Sequence, residues 1–363
     1  MTSIASSGTP KKRPSPDSSV ENSKKVKKYE GPKEFADLNW TVWRQRIRPW
    51  YTQWYPAVKG HKNLKLEHCK EFSLARRLSP FRLKRDGNDP EALATKCVLA
   101  TYKNTIWYDQ DGVKLVQYFP SLLTRRSPAI LAELLTLIQA YPPKCPGTSE
   151  ARHSQHEEWR KQFPSDTPVG VLRLTIHHQC GHKYDDPSTS EDLLAGPGKY
   201  VAQSLNFLRS EAIMEMSEFL SIVFAGVDPP KWRAYRDVYN EVASHPNFSI
   251  LNIWNPNKLQ AFVGHYILIN MLTTLHCDTN DLEDGWAVMI VLGVFKGGEL
   301  VLPDLGISLP YRPGDVVFLR SKALYHFIKK FKGIERYVIV LSTPASVFKW
   351  AEARMKNMNR EAN

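Results

Sequence analysis

The chain is short of cysteine: five in 363 residues, at positions 69, 97, 145, 180 and 277. They are scattered and odd in number, so no disulfide framework can be read from their spacing, and a reducing compartment is expected. No apolar run is long enough to span a bilayer, and no secretory hydrophobic region follows Met1. A soluble, intracellular protein with no membrane partner is therefore expected. Acidic residues are also few: 37 Asp and Glu face 49 Lys and Arg, for a formal net charge of +12. That excess favours an anionic partner, nucleic acid first. Residues 1–35 have almost no apolar side chains, hence no face to bury, and are expected to be disordered. The chain as a whole is 42% hydrophobic and 24% charged, enough for one large or two ordinary globular domains.

What the first 35 residues do have is charge. Eight Lys and Arg against four Asp and Glu leave +4 there and +8 for the remainder. Lys12-Arg13, a ten-residue spacer and Lys24-Lys25-Val26-Lys27-Lys28 have the layout of a bipartite nuclear import signal. A nuclear import receptor is then a partner and the nucleus the expected location. A solvated basic tail touching phosphates is the plainer alternative.

Between 36 and 200 the chain mixes aromatic and basic residues, as in Trp40, Trp43, Trp50 and Trp54 among Arg44, Arg46 and Arg48. Packing of these rings on the outside of a core is expected, with a stacking surface for nucleic acid as the alternative. Thr105–Tyr108 and Val113–Tyr118 read as a hairpin around Asp109-Gln110-Asp111-Gly112, Ala129–Tyr141 as a helix stopped by Pro142-Pro143, and Val169–Ile176 as a strand. His177, His178, Cys180 and His182 lie close together, but their spacing matches no standard zinc site, and a polar loop is the expected reading, with zinc as the alternative. Ser204–Ala225 reads as one helix and the segment after Asp228-Pro229-Pro230 as another, with Arg233 and Arg236 on its exposed face.

The stretch from His276 to Arg336 holds the chemistry. His276 and Asp278 are two apart, so an extended backbone sends both side chains to the same side. Between them and His326, Trp286–Val294, Glu299–Leu302, Ile307–Leu309 and Val316–Leu319 read as short strands parted by turns at Gly297-Gly298 and Pro313-Gly314. Tyr337–Leu341 follows as another. Such strands argue for a small antiparallel barrel or jelly roll with the ligands at its mouth. Two histidines and one carboxylate on one face of a metal form the facial triad of non-haem Fe(II) oxygenases, whereas zinc more often takes thiolates or a third histidine. Arg336, ten residues past His326, offers a planar fork for the far carboxylate of a dicarboxylic co-substrate.

In the order His276-x-Asp278, Gly297-Gly298-Glu299-Leu300, Leu309-Pro310-x-x-Pro313-Gly314-Asp315-Val316, His326 and Glu335-Arg336-Tyr337, the chain resembles the TET/JBP dioxygenases, in the version found in fungi. The resemblance covers roughly 205–350, with the specific motifs after 270. It implies an α+β fold: a double-stranded β-helix (jelly-roll) core buttressed by helices. It implies Fe(II) held by His276, Asp278 and His326, and 2-oxoglutarate anchored by Arg336 with Asn270 near it. It also implies that Asp281 contacts a methylated base flipped out of double-stranded DNA. Ser342 and Pro344 stand where family members often carry an aromatic residue and a histidine.

The expected function is oxidation of the methyl group of 5-methylcytosine, with stepwise oxidation open. N6-methyladenine demethylation, a protein or small-molecule hydroxylase of the same fold, and a non-catalytic DNA-binding module are the alternatives. The expected organisation is a basic tail (1–35), an N-terminal region (36–200) packing on the core, a dioxygenase core (201–350) and a polar C-terminal tail (351–363), acting as a monomer.

Overall fold

The structure is a computed structural model. It describes residues 65–78, 90–141, 158–159, 161–177, 186–194, 200–248 and 250–361, with positions 48 and 196. The basic tail, the four tryptophans at 40–54 and most of the histidine cluster at 177–182 lie outside the described residues.

In chain order the strands are β1 (Lys65–Cys69), β2 (Val98–Leu99), β3 (Thr105–Asp109), β4 (Lys114–Phe119), β5 (Gly170–Leu174), β6 (Ile176–His177) and β7 (Ser188–Thr189). There follow β8 (Gly264–Ile269), β9 (Ala287–Gly297), β10 (Leu300–Leu302), β11 (Ile307–Leu309), β12 (Val316–Leu319), β13 (Phe327–Ile328) and β14 (Phe331–Ser342). Eight of them form one sheet, in the order β1-β3-β4-β12-β9-β14-β8-β5, and four form a second, β13-β10-β11-β2. From β8 onward the chain passes back and forth between these sheets, and pairing there is antiparallel. The two parallel pairings, β1 with β3 and β2 with β11, are both made by strands from the first hundred residues. That region therefore extends the sheets by backbone hydrogen bonds and does not merely pack on their outside, as the sequence suggested.

Side-chain alternation sorts the large sheet into two faces. Val288, Ile290 and Leu292 of β9, Val316 and Phe318 of β12, and Tyr337, Ile339 and Leu341 of β14 pack into one core with the helices. Met289 and Val291, Val317 and Leu319, and Val338 point the other way, into a second core that includes Leu300, Leu302 and Leu309 of the small sheet. A strand buried on both faces reads as an unbroken apolar run, which is why Ala-Val-Met-Ile-Val-Leu in β9 shows no polar alternation.

The helix layer comprises α1 (Pro128–Gln139), α2 (Val201–Arg209), α3 (Glu211–Val227), α4 (Pro229–Ser244) and α5 (Ala345–Glu361). The single helix expected over Ser204–Ala225 is two. Ser210 is extended, and its hydroxyl accepts from the amide of Ile213 at 3.2 Å, ending α2 and capping α3. Asp228 caps α4, and Pro229-Pro230 occupy its first turn, where no amide donor is needed. The same Asp228 accepts from the Trp286 indole at 2.9 Å and Arg320 at 3.3 Å, tying the helix layer to β9 and the end of β12. Arg236 is not on the exposed face of α4: it is buried and stacks on Trp232. The segment read as a polar C-terminal tail from 351 continues α5, with Val347, Phe348 and Ala351 in the helix-side core and Arg354 bonded to Glu241. None of Cys69, Cys97 and Cys277 forms a disulfide. Among the described residues no helix is long and apolar enough to cross a membrane.

Candidate active site

His276 and His326 meet across the end of the small sheet as a two-residue antiparallel bridge. The amide of His276 donates to the carbonyl of His326 at 3.1 Å, and the reverse bond is 2.9 Å. This bridge brings residues 50 apart in sequence face to face, with ring centroids 4.3 Å apart. Asp278 is placed by its own amide, which donates to the carbonyl of Ser321 at 3.1 Å. Its two carboxylate oxygens lie 3.5 Å from Nε2 of His276 and 3.7 Å from Nε2 of His326. One ligand atom from each of the three residues lies within 4.8 Å of the other two.

Each imidazole is oriented from behind. Nδ1 of His276 lies 2.8 Å from the carbonyl of Thr274, and Nδ1 of His326 lies 3.0 Å from that of Leu324. A carbonyl can only accept, so each Nδ1 carries the proton and each Nε2 presents its lone pair to the shared point. Rings locked in this way are the usual support of a metal-binding histidine. His326 is buried and the other two ligands are half-buried, so the point is reached from one side. Two neutral imidazoles and a carboxylate fit a divalent first-row metal such as Fe(II).

Arg336 shares the parity of Val338 on β14 and so faces the gap between the sheets. It is 1% exposed, and its guanidinium sits over the rings of Phe331, Phe295 and Tyr311 at 5.1, 5.3 and 5.6 Å. Burial lowers its pKa to about 10, with Tyr311 and Glu299 acting in the opposite sense, so it remains a cation at neutral pH. Nη2 donates to the Gly298 carbonyl at 3.5 Å, while Nε has no hydrogen-bond partner among the described residues. A buried cation with an unmade hydrogen bond fits an anionic group that is to be bound there. Gly298 supplies the room: its φ is +74°, and a Cβ there would lie 2.8 Å from Nε of Arg336.

The remaining expected residues fall into two sorts. Asn270 is fully buried with φ +50°, and its amide is spent on backbone: Oδ1 accepts from the Arg336 amide at 2.8 Å, and Nδ2 donates to Pro168 and Ile334 at 2.9 and 2.7 Å. It fixes the strand that carries Arg336. Asp281 is half-buried beside the triad; its amide donates to the Asp278 carbonyl and its carboxylate accepts from the Ser321 hydroxyl. It forms a bridge with Pro344, one of the two positions that depart from the family pattern. The other, Ser342, is buried.

Three residues were not singled out from the sequence. Ser321 holds Asp278 with its carbonyl and Asp281 with its hydroxyl. Tyr266, half-buried on β8, feels the carboxylates of Asp281 and Asp278; burial first, then these charges, push its phenol up to about 12. Tyr311 lies beside Arg336. The alternation of β8 could have placed Tyr266 on the inter-sheet face with Leu268. Ser321 and Tyr311 left no signal of their own.

The chain matches no known family model and no curated protein sequence. Among solved structures it is similar to NgTET1 in complex with 5mC DNA, at 14% identity and TM-score 0.46, covering 85% of this chain and 92% of that one. It is similar to an oxidoreductase of the 2OG-Fe(II) oxygenase family from Burkholderia pseudomallei, at 16% identity and TM-score 0.36, covering 78% and 98%. OsALKBH1 is a third, at 10% identity and TM-score 0.32, covering 63% and 96%. Identity this low leaves the site to be read from its own side chains.

Proposed function

We propose that this protein is an Fe(II)- and 2-oxoglutarate-dependent dioxygenase that oxidises the methyl group of 5-methylcytosine in DNA. The convergence of His276, Asp278 and His326, with both Nε2 atoms turned to one point, carries the oxygenase reading. The passage of the chain between the two sheets from β8 to β14 suits a double-stranded β-helix. DNA as substrate is supported by the motif resemblance and the +12 charge.

His276, Asp278 and His326 would hold the iron and Arg336 the distal carboxylate of 2-oxoglutarate. Bound together, metal and oxo acid would activate dioxygen: one oxygen atom would go to the oxo acid as it loses CO2 and becomes succinate, the other into a methyl C–H bond. The protein's own part is geometric and electrostatic. The Thr274 and Leu324 carbonyls would hold both rings with Nε2 aimed at the shared point, and Ser321 would keep Asp278 in reach. Phe295, Phe331 and Tyr311 keep water from Arg336 and strengthen its hold on an anion. A methyl group inside a duplex is out of reach, so the nucleotide is flipped out at a cost of a few kcal/mol. Asp281, half-buried beside the triad, would accept from the exocyclic amine of the arriving base, and Tyr266 would offer it a ring to pack on.

The test is release of labelled CO2 from 2-oxoglutarate by the full chain with iron. Turnover stimulated by a duplex containing 5-methylcytosine, and absent in Asp278→Ala, is the expected result. Turnover stimulated equally by unmethylated DNA contradicts the substrate, and none in any condition contradicts the class.

A further inference from the structure

We infer that the hydroxyl of Tyr311 is a second anchor for the distal carboxylate gripped by Arg336, and that together they select a dicarboxylic over a monocarboxylic oxo acid. The inference rests on the co-substrate reading above and adds to it a residue and a selectivity.

Tyr311 is 1% exposed, yet its hydroxyl has no hydrogen-bond partner among the described residues, and neither has Nε of Arg336. Buried polar atoms without partners are rare, and two on adjacent side chains call for a shared explanation. The guanidinium carbon lies 5.6 Å from the Tyr311 ring centroid, with one residue delivered by the large sheet and the other by the turn after the small-sheet strand β11. Both are donors. Two unpartnered donors on side chains in cation–ring contact suit one acceptor with several lone pairs, and a carboxylate offers about four. A ring needed only to fill space would serve as well without the hydroxyl.

The turn invests in this placement. Tyr311 has φ +52°, a conformation that a bulky residue holds only when its surroundings impose it. The surroundings do so through buried Asp315, whose carboxylate accepts from the Arg312 and Ser121 amides at 2.7 Å each and from the hydroxyls of Tyr102 and Tyr118 at 2.7 and 2.6 Å. Across the gap, Gly298 keeps clear the volume that a Cβ would take from Arg336.

The experiment is calorimetric titration of the full chain, loaded with Mn(II) in place of iron, with 2-oxoglutarate and with 2-oxobutyrate, which lacks the distal carboxylate. Wild type and Tyr311→Phe are compared, and the melting temperature of each metal-free, ligand-free protein is recorded. Tyr311→Phe should bind 2-oxoglutarate about tenfold more weakly, the loss of one hydrogen bond to a charged group. Its affinity for 2-oxobutyrate should be unchanged. Its ligand-free melting temperature should be equal or higher, since a buried unpaired hydroxyl has been removed. Equal 2-oxoglutarate affinity in the two proteins overturns the inference and leaves the co-substrate reading standing. So does a lowered ligand-free melting temperature, which would mean that the fold itself uses the hydroxyl. Wild type that binds no 2-oxoglutarate overturns the underlying reading, and the inference with it.

Discussion

At the scale of single residues, the triad brings one carboxylate and two imidazole lone pairs to a point where a metal could take all three. Asp278→Ala removes the sole anionic ligand of the three and leaves the two histidine bonds to backbone intact. Metal affinity should fall by at least about a hundredfold while the far-UV circular dichroism is kept. Persistence of a metal-induced rise in melting temperature in that variant would show that the ligands are elsewhere. Arg336→Lys keeps the charge but loses the planar fork, so the apparent KM for 2-oxoglutarate should rise roughly ten- to a hundredfold with little effect on DNA affinity. A change in DNA affinity alone would reverse the roles of Arg336 and Asp281. The convergence of His276, Asp278 and His326 and the inward face of Arg336 were legible in the sequence because their side chains have few other reasons to fall at that spacing. Tyr266 and Tyr311 were not, because an aromatic ring in an apolar stretch reads as core until its neighbours are known. Asn270 was legible as a position but not as a role: its amide proves to serve the backbone of β14.

At the scale of elements, the strands that carry the site were read well, since turn chemistry at Gly297-Gly298 and Pro313-Gly314 marks where each ends. Helix ends were read less well. The break at Ser210 lies within a continuous apolar stripe, and α5 has a polar surface that hides the one face it packs. Two predictions belong to these elements. Asp315→Ala would take the acceptor from the Tyr118 hydroxyl and from the amides of Arg312, in the turn after β11, and Ser121, after β4, and would leave Tyr102 only the Ser121 hydroxyl, a loss of about 3–5 kcal/mol. Urea denaturation measures it, and a loss below about 1 kcal/mol would show the turn to be held by other contacts.

His265 of β8 gives the second prediction. Burial lowers its pKa from the ordinary 6.5 to about 4, and its ring bonds the Ser217 hydroxyl at 3.2 Å. Below pH 6.5 the unfolded chain takes up a proton that the folded chain refuses until about pH 4, so stability is lost as the pH falls through that window. With allowance for partial solvent access, wild type should lose about 1–2 kcal/mol more than His265→Gln between pH 7 and pH 5. Equal losses would mean that His265 titrates normally.

At the scale of the whole molecule, the proposed partner and place rest on charge and on the tail. The +4 of residues 1–35 and the spacing of its two basic clusters support nuclear entry, and the sequence there offers no apolar face to a core. A chain beginning at Phe35 should therefore keep its activity on short duplexes and lose nuclear accumulation in cells. An inactive truncation would show that the tail takes part in the site. The remaining +8 is available to phosphates and should make duplex affinity fall steeply with salt. That the N-terminal region joins both sheets as strands was not legible, because β1 and β2 pair in parallel with strands distant in sequence, and no local pattern announces such pairings.

The most direct measurement is mass spectrometry of nucleosides released from duplexes containing 5-methylcytosine or N6-methyladenine after incubation with the full chain, iron and 2-oxoglutarate. We predict 5-hydroxymethylcytosine from the first duplex, dependent on both iron and 2-oxoglutarate and absent with Asp278→Ala. Conversion of N6-methyladenine with 5-methylcytosine untouched would contradict the substrate, and no modified-base turnover in either duplex would contradict a DNA dioxygenase altogether.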